Sequence, residues 1–140
     1  MKNITAIIPT LNEENNIAKA INSVSFANEI LIVDSFSSDK TIEIAQSMGA
    51  RIIQRDYENC ASQKNWAIPQ AKHEWILLID ADEVVPLKLK NEILDILSKK
   101  VDESAFWIPR LNYYMGQKVR FSGWQGDAVI RLFKRIICQK

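Results

Sequence analysis

Apolar residues along this chain recur with two different periods, and the switches between them lay out its elements. Residues 4–9 form a short β-branched run closed by Pro9, the mark of a buried strand. Over residues 13–25 the period lengthens. Ile17, Ala20, Ile21 and Val24 follow the i, i+3, i+4, i+7 spacing of an amphipathic helix, with Asn12 as its cap and Glu13 and Glu14 suited to the positive helix start. Glu29–Asp34 reads as a second apolar strand and residues 35–38 as a polar turn. A helix over 39–48 carries Ile42, Ala45 and Met48 on one face and stops at Gly49, where a left-handed cap fits. Residues 50–54 predict a third strand, 60–71 a helix with Pro69 near its end, and 75–79 a fourth strand. Pro86 suits the first turn of another helix, whose apolar face (Leu89, Ile93, Leu94, Ile96, Leu97) reaches about residue 100. After that, residues 104–111 and 118–122 read as an antiparallel hairpin turning at 115–117, with a last strand over 128–133.

Strands alternating with helices predict an α/β fold, a mostly parallel sheet with helices on both faces, right-handed crossovers and a C-terminal antiparallel hairpin. In such sheets ligands bind outside the carboxyl ends of the strands. Those ends are Pro9-Thr10, Asp34-Ser35 and Asp80-Ala81-Asp82, so polar groups from three strands are expected on one rim. The third is the most informative. An apolar run delivers Asp80 and Asp82 into a polar turn, with Glu83 beside them, and in an extended chain the two aspartates share a face while Ala81 points away. Crowded carboxylates repel unless a divalent cation, a shared proton or a basic side chain lies between them. The plain structural alternative is a turn that caps the helix starting near Pro86.

Composition narrows the picture. With 140 residues, 47% apolar and 25% charged, the chain fits one globular domain and not a disordered segment. No run approaches the roughly 20 apolar residues that span a bilayer, and the amino terminus lacks a signal peptide's features, so a cytoplasmic location is expected. Cys60 and Cys138 show neither metal spacing nor a disulfide framework and read as reduced thiols. The turn after the first strand has no glycine, which disfavours a dinucleotide-binding loop or a Walker phosphate loop. Net charge is only +1, yet residues 110–140 hold seven basic side chains against one acid, Asp127. With Phe121, Trp124 and Phe133 interleaved, this segment suits phosphates on a membrane surface or a substrate, or is an ordinary solvated basic face.

Four segments carry a resemblance: Ile8-Pro9-Thr10-Leu11-Asn12-Glu13-Glu14, Ile32-Val33-Asp34-Ser35-Phe36-Ser37-Ser38-Asp39-Lys40-Thr41, Gln63-Lys64-Asn65-Trp66-Ala67 and Leu78-Ile79-Asp80-Ala81-Asp82-Glu83. In this order and spacing they resemble the family 2 glycosyltransferases of the GT-A (Rossmann-like) fold. Asn112-Tyr113-Tyr114-Met115-Gly116 and Arg131-Leu132-Phe133 resemble the branch that builds lipopolysaccharide cores. The resemblance implies a metal-dependent, inverting transfer of a sugar from a nucleotide donor, a UDP-sugar, to a glycan or lipid-linked acceptor in envelope synthesis, at the inner face of the membrane and without nucleic acid. Pro9, Thr10 and Glu13 would then meet the nucleotide, Asp34 the uracil or ribose, and Lys64 the nucleotide or its diphosphate. Asp80-Ala81-Asp82 matches the family's DXD motif, with Asp80 near ribose and metal and Asp82 ligating Mg²⁺ or Mn²⁺. Asp127 matches a later acidic motif and is the candidate general base. Arg131 would face phosphate or pair with Asp127, and Trp124 would stack on an acceptor sugar or pack the hairpin.

On this reading the whole chain is one domain, with a donor half over 1–100 and an incomplete acceptor half over 101–140, and its open sheet edge allows a homodimer. Two rivals remain: a truncated non-catalytic domain that binds nucleotide or assembles with partners, and a haloacid-dehalogenase-type phosphatase with Asp80 as nucleophile. The latter's motif belongs on a first strand, whereas three βα units precede it here.

Overall fold

In the computed structural model, which describes residues 2–100, 105–109 and 128–135, the apolar runs become strands and the 3.6-period stretches become helices. The elements are β1 (Ile4–Thr10), α1 (Ile17–Ser23), β2 (Glu29–Asp34), α2 (Thr41–Ser47), β3 (Arg51–Gln54), α3 (Cys60–Ala67), a 3₁₀ turn (Ile68–Gln70), β4 (Trp75–Leu78), α4 (Leu87–Ser98), β5 (Ala105–Pro109) and β6 (Ala128–Lys134). They build one six-stranded sheet in the order β3-β2-β1-β4-β6-β5. The first four strands are parallel, and β6 runs antiparallel to both β4 and β5. The register that matters most sets Thr10 opposite Asp34 at the carboxyl ends of β1 and β2.

Each face of the sheet has its own core. On one, Ile4, Ala6, Ile8, Ile32, Trp75 and Leu77 pack with Ile17, Ala20 and Ile21 of α1, Ala45 of α2, and Ile93 and Leu97 of α4. On the other, Ile7, Leu31, Val33, Ile76, Leu78 and Phe133 pack with Ala67, Ile68 and Ala71 around the end of α3. Period-two alternation along β1 thus sends Ile8 to one core and Ile7 to the other, as a sheet buried on both faces requires. Each such side chain contributes about 1.5–3 kcal/mol on full burial. Among the described residues no helix is long and apolar enough to cross a membrane.

Several boundaries differ from the sequence expectation, each for a local reason. Helix α1 begins at Ile17 and not near Glu13, because residues 12–16 turn first; the N–H groups of Asn16 and Ile17 both reach the Glu13 carbonyl. Asn12 does not cap it. That residue sits at φ 53 and gives its side chain to a neighbouring loop. The buried face of α2 is Thr41 and Ala45, with Met48 at the exposed end. Gly49 does adopt φ 88, and the Gly49 and Ala50 N–H groups close the helix on the Gln46 and Ala45 carbonyls, a Schellman cap. Helix α3 stops at Ala67 because Pro69, which has no N–H to donate, falls in the 3₁₀ turn that follows. The antiparallel pair forms between β5 and β6; the partner strand expected at 118–122 lies outside the described residues.

Candidate functional site

Parallel order places the carboxyl ends of β2, β1 and β4 side by side, so the three polar turns named above share one rim. Its centre is Asp34, the last residue of β2, with no exposed surface. One carboxylate oxygen accepts the Thr10 and Ser37 hydroxyls, both at 2.6 Å. The other accepts the Ser37 N–H at 2.8 Å and the Gln54 side-chain amide at 3.2 Å. Burial alone would raise this carboxyl's pKa, but the four hydrogen bonds, the Ser37 hydroxyl's foremost, outweigh it and hold the group below its ordinary value. Asp34 therefore remains an anion at neutral pH and fixes the loop that follows it.

The loops after β1 and β2 are laced to each other through side chains. Asn12 donates its N–H to Ser37 Oγ at 2.8 Å and accepts the Ser38 N–H on its side-chain oxygen at 2.8 Å. Glu13 N–H reaches Thr41 Oγ1 at 2.8 Å, Glu14 N–H reaches Asp39 at 3.1 Å, and Lys40 N–H returns to Glu14 at 3.0 Å. A left-handed Phe36, φ 62, completes the second loop. Leu11 and Phe36 stand half-exposed on these two loops. Ser37, Asp39 and Thr41 were not singled out in the sequence; their polar character is the signal, but it looks the same in any turn.

Helix α3 joins the rim through Gln63, which is 2% exposed and donates to Ser35 Oγ at 2.9 Å. Lys64 follows it, half-buried, and has no acidic partner among the described residues. Pro9 is half-buried in β1, and Glu13 accepts the side-chain amide of Asn16 at 3.1 Å.

The aspartate pair lies past β4, which ends at Leu78, so the segment is a turn and not the extended chain expected. Its burial nevertheless alternates: Ala81 is packed in the core, Asp80 is partly exposed and Asp82 is exposed. The turn closes on itself, with Glu83 N–H donating to the Asp80 carbonyl at 3.0 Å and Asp80 N–H to Glu83 Oε1 at 2.7 Å. The basic side chain allowed for beside these carboxylates is present. Arg131, on β6, donates Nη1 to Glu83 Oε1 at 2.5 Å and to the Leu78 carbonyl at 3.1 Å, while Nη2 lies 3.2 Å from Glu83 Oε2 and 3.7 Å from Asp80 Oδ2. Of the partners expected for Arg131, phosphate or Asp127, Asp127 lies outside the described residues, as does Trp124. Two further residues of the basic segment are also drawn into the fold: Lys134 lies 5.7 Å from the Trp75 ring centre, and Arg135 donates to the Ala71 carbonyl.

A parallel sheet whose carboxyl rim carries these four motifs in register agrees with the sequence profile of Glycosyl transferase family 2, which matches residues 5–132. The chain belongs to that family. A glycosyltransferase of Rickettsia bellii is 45% identical over 93 residues, 66% of this chain and 32% of the relative. The lipopolysaccharide core biosynthesis glycosyltransferase LpsC of Rhizobium meliloti is 35% identical over 119 residues, 81% of this chain and 44% of the relative. The chain thus spans less than half the length of these relatives. Among solved structures, glucosyl-3-phosphoglycerate synthase of Mycobacterium tuberculosis, in complex with Mn²⁺, UDP and glucosyl-3-phosphoglycerate, superposes with TM-score 0.58 at 23% identity, covering 69% of this chain and 40% of that one. The shared fold is GT-A. A separate cleft of about 690 Å³ opens at the opposite edge of the sheet, near Asn28, Arg51, Lys72 and His73, away from the rim.

Proposed function

We propose that the carboxyl-end rim holds a nucleotide-sugar donor, a UDP-sugar, with Mg²⁺ or Mn²⁺, and that this chain supplies the donor side of an inverting glycosyltransferase. The observation that carries the reading is the clamped turn at Asp80 and Asp82, two carboxylates exposed on the same rim as the Thr10–Asp34 pair. They fit a hard divalent cation. Both offer oxygen ligands, and Asp82 is solvent-exposed while the Asp80 side chain is 42% exposed. No group of three or more His, Cys, Asp or Glu residues able to hold a metal occurs among the described residues, so diphosphate oxygens and water would complete the shell.

Bound there, the cation would act as a Lewis acid on the diphosphate leaving group. The chain's own residues would do the rest. Thr10, held by Asp34, and Glu13, held by Thr41, set the loop against which the nucleoside lies, and Leu11 and Phe36 give it apolar surface. Asp34 acts on uracil or ribose through this loop, since four donors already occupy its oxygens. Lys64 faces the diphosphate charge, and Pro9 and Ala81 fix the backbone on either side. Asp127 is the candidate base that takes the acceptor hydroxyl's proton. The similarity to LpsC supports an acceptor that is a glycan or lipid-linked sugar of the cell envelope.

Calorimetric titration of UDP with and without Mn²⁺ tests the reading, with Asp82→Ala alongside. Mn²⁺ is expected to tighten UDP binding by about tenfold or more, and Asp82→Ala to abolish that gain. Equal UDP affinity with and without Mn²⁺, unchanged in Asp82→Ala, would defeat it.

A further inference from the structure

Behind the aspartate turn lies an ion pair that nothing in the proposed donor chemistry calls for. Arg131 side-chain exposure is 10% and that of Glu83 is 30%, and the two meet through both terminal guanidinium nitrogens and both carboxylate oxygens. Two-point contact of this kind fixes orientation as well as distance. Each partner also holds the turn's backbone. Glu83 accepts the Asp80 N–H, and Arg131 donates to the Leu78 carbonyl, the last residue of β4. From the same guanidinium, Nη2 stands 3.7 Å from the Asp80 carboxylate.

We propose that Arg131 and Glu83 form a clamp, built across β6 and the β4 turn, that positions Asp80 for a divalent cation without ligating it. This rests on the donor-site reading above. The pairing occupies Glu83, the third carboxylate of the turn, and makes it a support. It also makes a counter-intuitive prediction. The cluster of Arg131, Glu83, Asp80 and Asp82 carries a formal charge of −2, and removing the arginine makes it −3. If charge alone governed the site, loss of Arg131 would tighten cation binding. A clamp requires the opposite, because an unpaired Glu83 swings away and releases the Asp80 N–H. Residues that orient metal ligands typically change metal affinity by about 10- to 100-fold when replaced.

The test is Mn²⁺ titration by electron paramagnetic resonance, in the presence of UDP, on wild type, Arg131→Met, Arg131→Lys and the double variant Arg131→Met with Glu83→Gln. Arg131→Met should bind Mn²⁺ at least about tenfold more weakly despite the extra negative charge. Arg131→Lys restores charge but not the planar fork, and should stay weak. Glu83→Gln alone also removes a negative charge, so it is combined with Arg131→Met. The double variant keeps the cluster at −2 and loses the ion pair; it should bind Mn²⁺ more weakly, and it carries the test if the single Arg131 variants fail to fold, wild-type affinity in it overturning the clamp. Wild-type binding with equal or tighter Mn²⁺ affinity in Arg131→Met, or full recovery in Arg131→Lys, would overturn the clamp and leave the donor site standing. No UDP-dependent Mn²⁺ signal in the wild type would overturn both.

Discussion

Replacing Asp34 by alanine should cost about 2–6 kcal/mol of folding stability, a large part of the roughly 5–15 kcal/mol that domains of this kind possess. The figure follows from what the side chain holds. Four donors converge on its two oxygens, from Thr10, from Ser37 twice and from Gln54. Hydrogen bonds to a charged group contribute about 1.5–3 kcal/mol each, but not all four would be lost outright. Gln54 is exposed and turns to water at little cost. Thr10 is 4% exposed and its hydroxyl, with the Ser37 N–H, is left facing a gap; two stranded donors at about 1–3 kcal/mol each give the range stated. Asp34→Asn should cost less, about 1–2 kcal/mol, because the amide can still serve hydroxyls that reverse their direction.

Urea unfolding at neutral pH measures both variants, and acid supplies a second reading. Because the folded-state pKa of Asp34 is depressed, its contribution is present above the unfolded value and is lost as pH falls through the folded one. The wild-type advantage should therefore shrink below about pH 4 and approach the Asp34→Asn level. A loss under about 1 kcal/mol for Asp34→Ala, or a difference that does not change with acid, would refute the argument that the anion organises the loop.

Other substitutions probe other parts of the account. Thr41→Val removes the buried oxygen that receives the Glu13 N–H, and should cost about 1–2 kcal/mol in denaturant while loosening the loop at Glu13, visible as faster amide exchange there. Gly49→Ala meets no atom within 4 Å, so its expected loss of about 1 kcal/mol in urea unfolding is purely the strain of φ 88; unchanged stability would contradict that reading. Leu77→Ala, at 1% exposure in the centre of β4, should cost about 2–5 kcal/mol by thermal unfolding, and a smaller loss would mean the core closes over the gap.

Much of this molecule was legible in its pattern of apolar positions. The β2 strand coincides with the expected Glu29–Asp34, and the four parallel strands follow from runs that need burial on both faces. The rim followed as well, since parallel strands must bring their carboxyl ends together. What periodicity could not deliver is contact between distant polar residues. The loop ties pair positions 25–28 apart, and Arg131 meets Glu83 across 48 residues. Ser37 and Thr41 look like ordinary turn residues, and Glu83 like one more carboxylate of the aspartate turn, until the register of β1 with β2, and of β4 with β6, sets them against their partners. The insertion of antiparallel β6 beside β4, ahead of β5, likewise depends on tertiary pairing, and it decides where the guanidinium of Arg131 arrives.

The most direct measurement of the central claim is anomalous diffraction at the manganese edge from crystals of this chain grown with UDP and Mn²⁺. The account predicts a single strong peak about 2.0–2.3 Å from an Asp82 carboxylate oxygen and bridged to the UDP diphosphate, on the rim beside Thr10 and Asp34. Ordered UDP on that rim without manganese at Asp82, or both ligands at the opposite edge near Arg51 and His73, would contradict it.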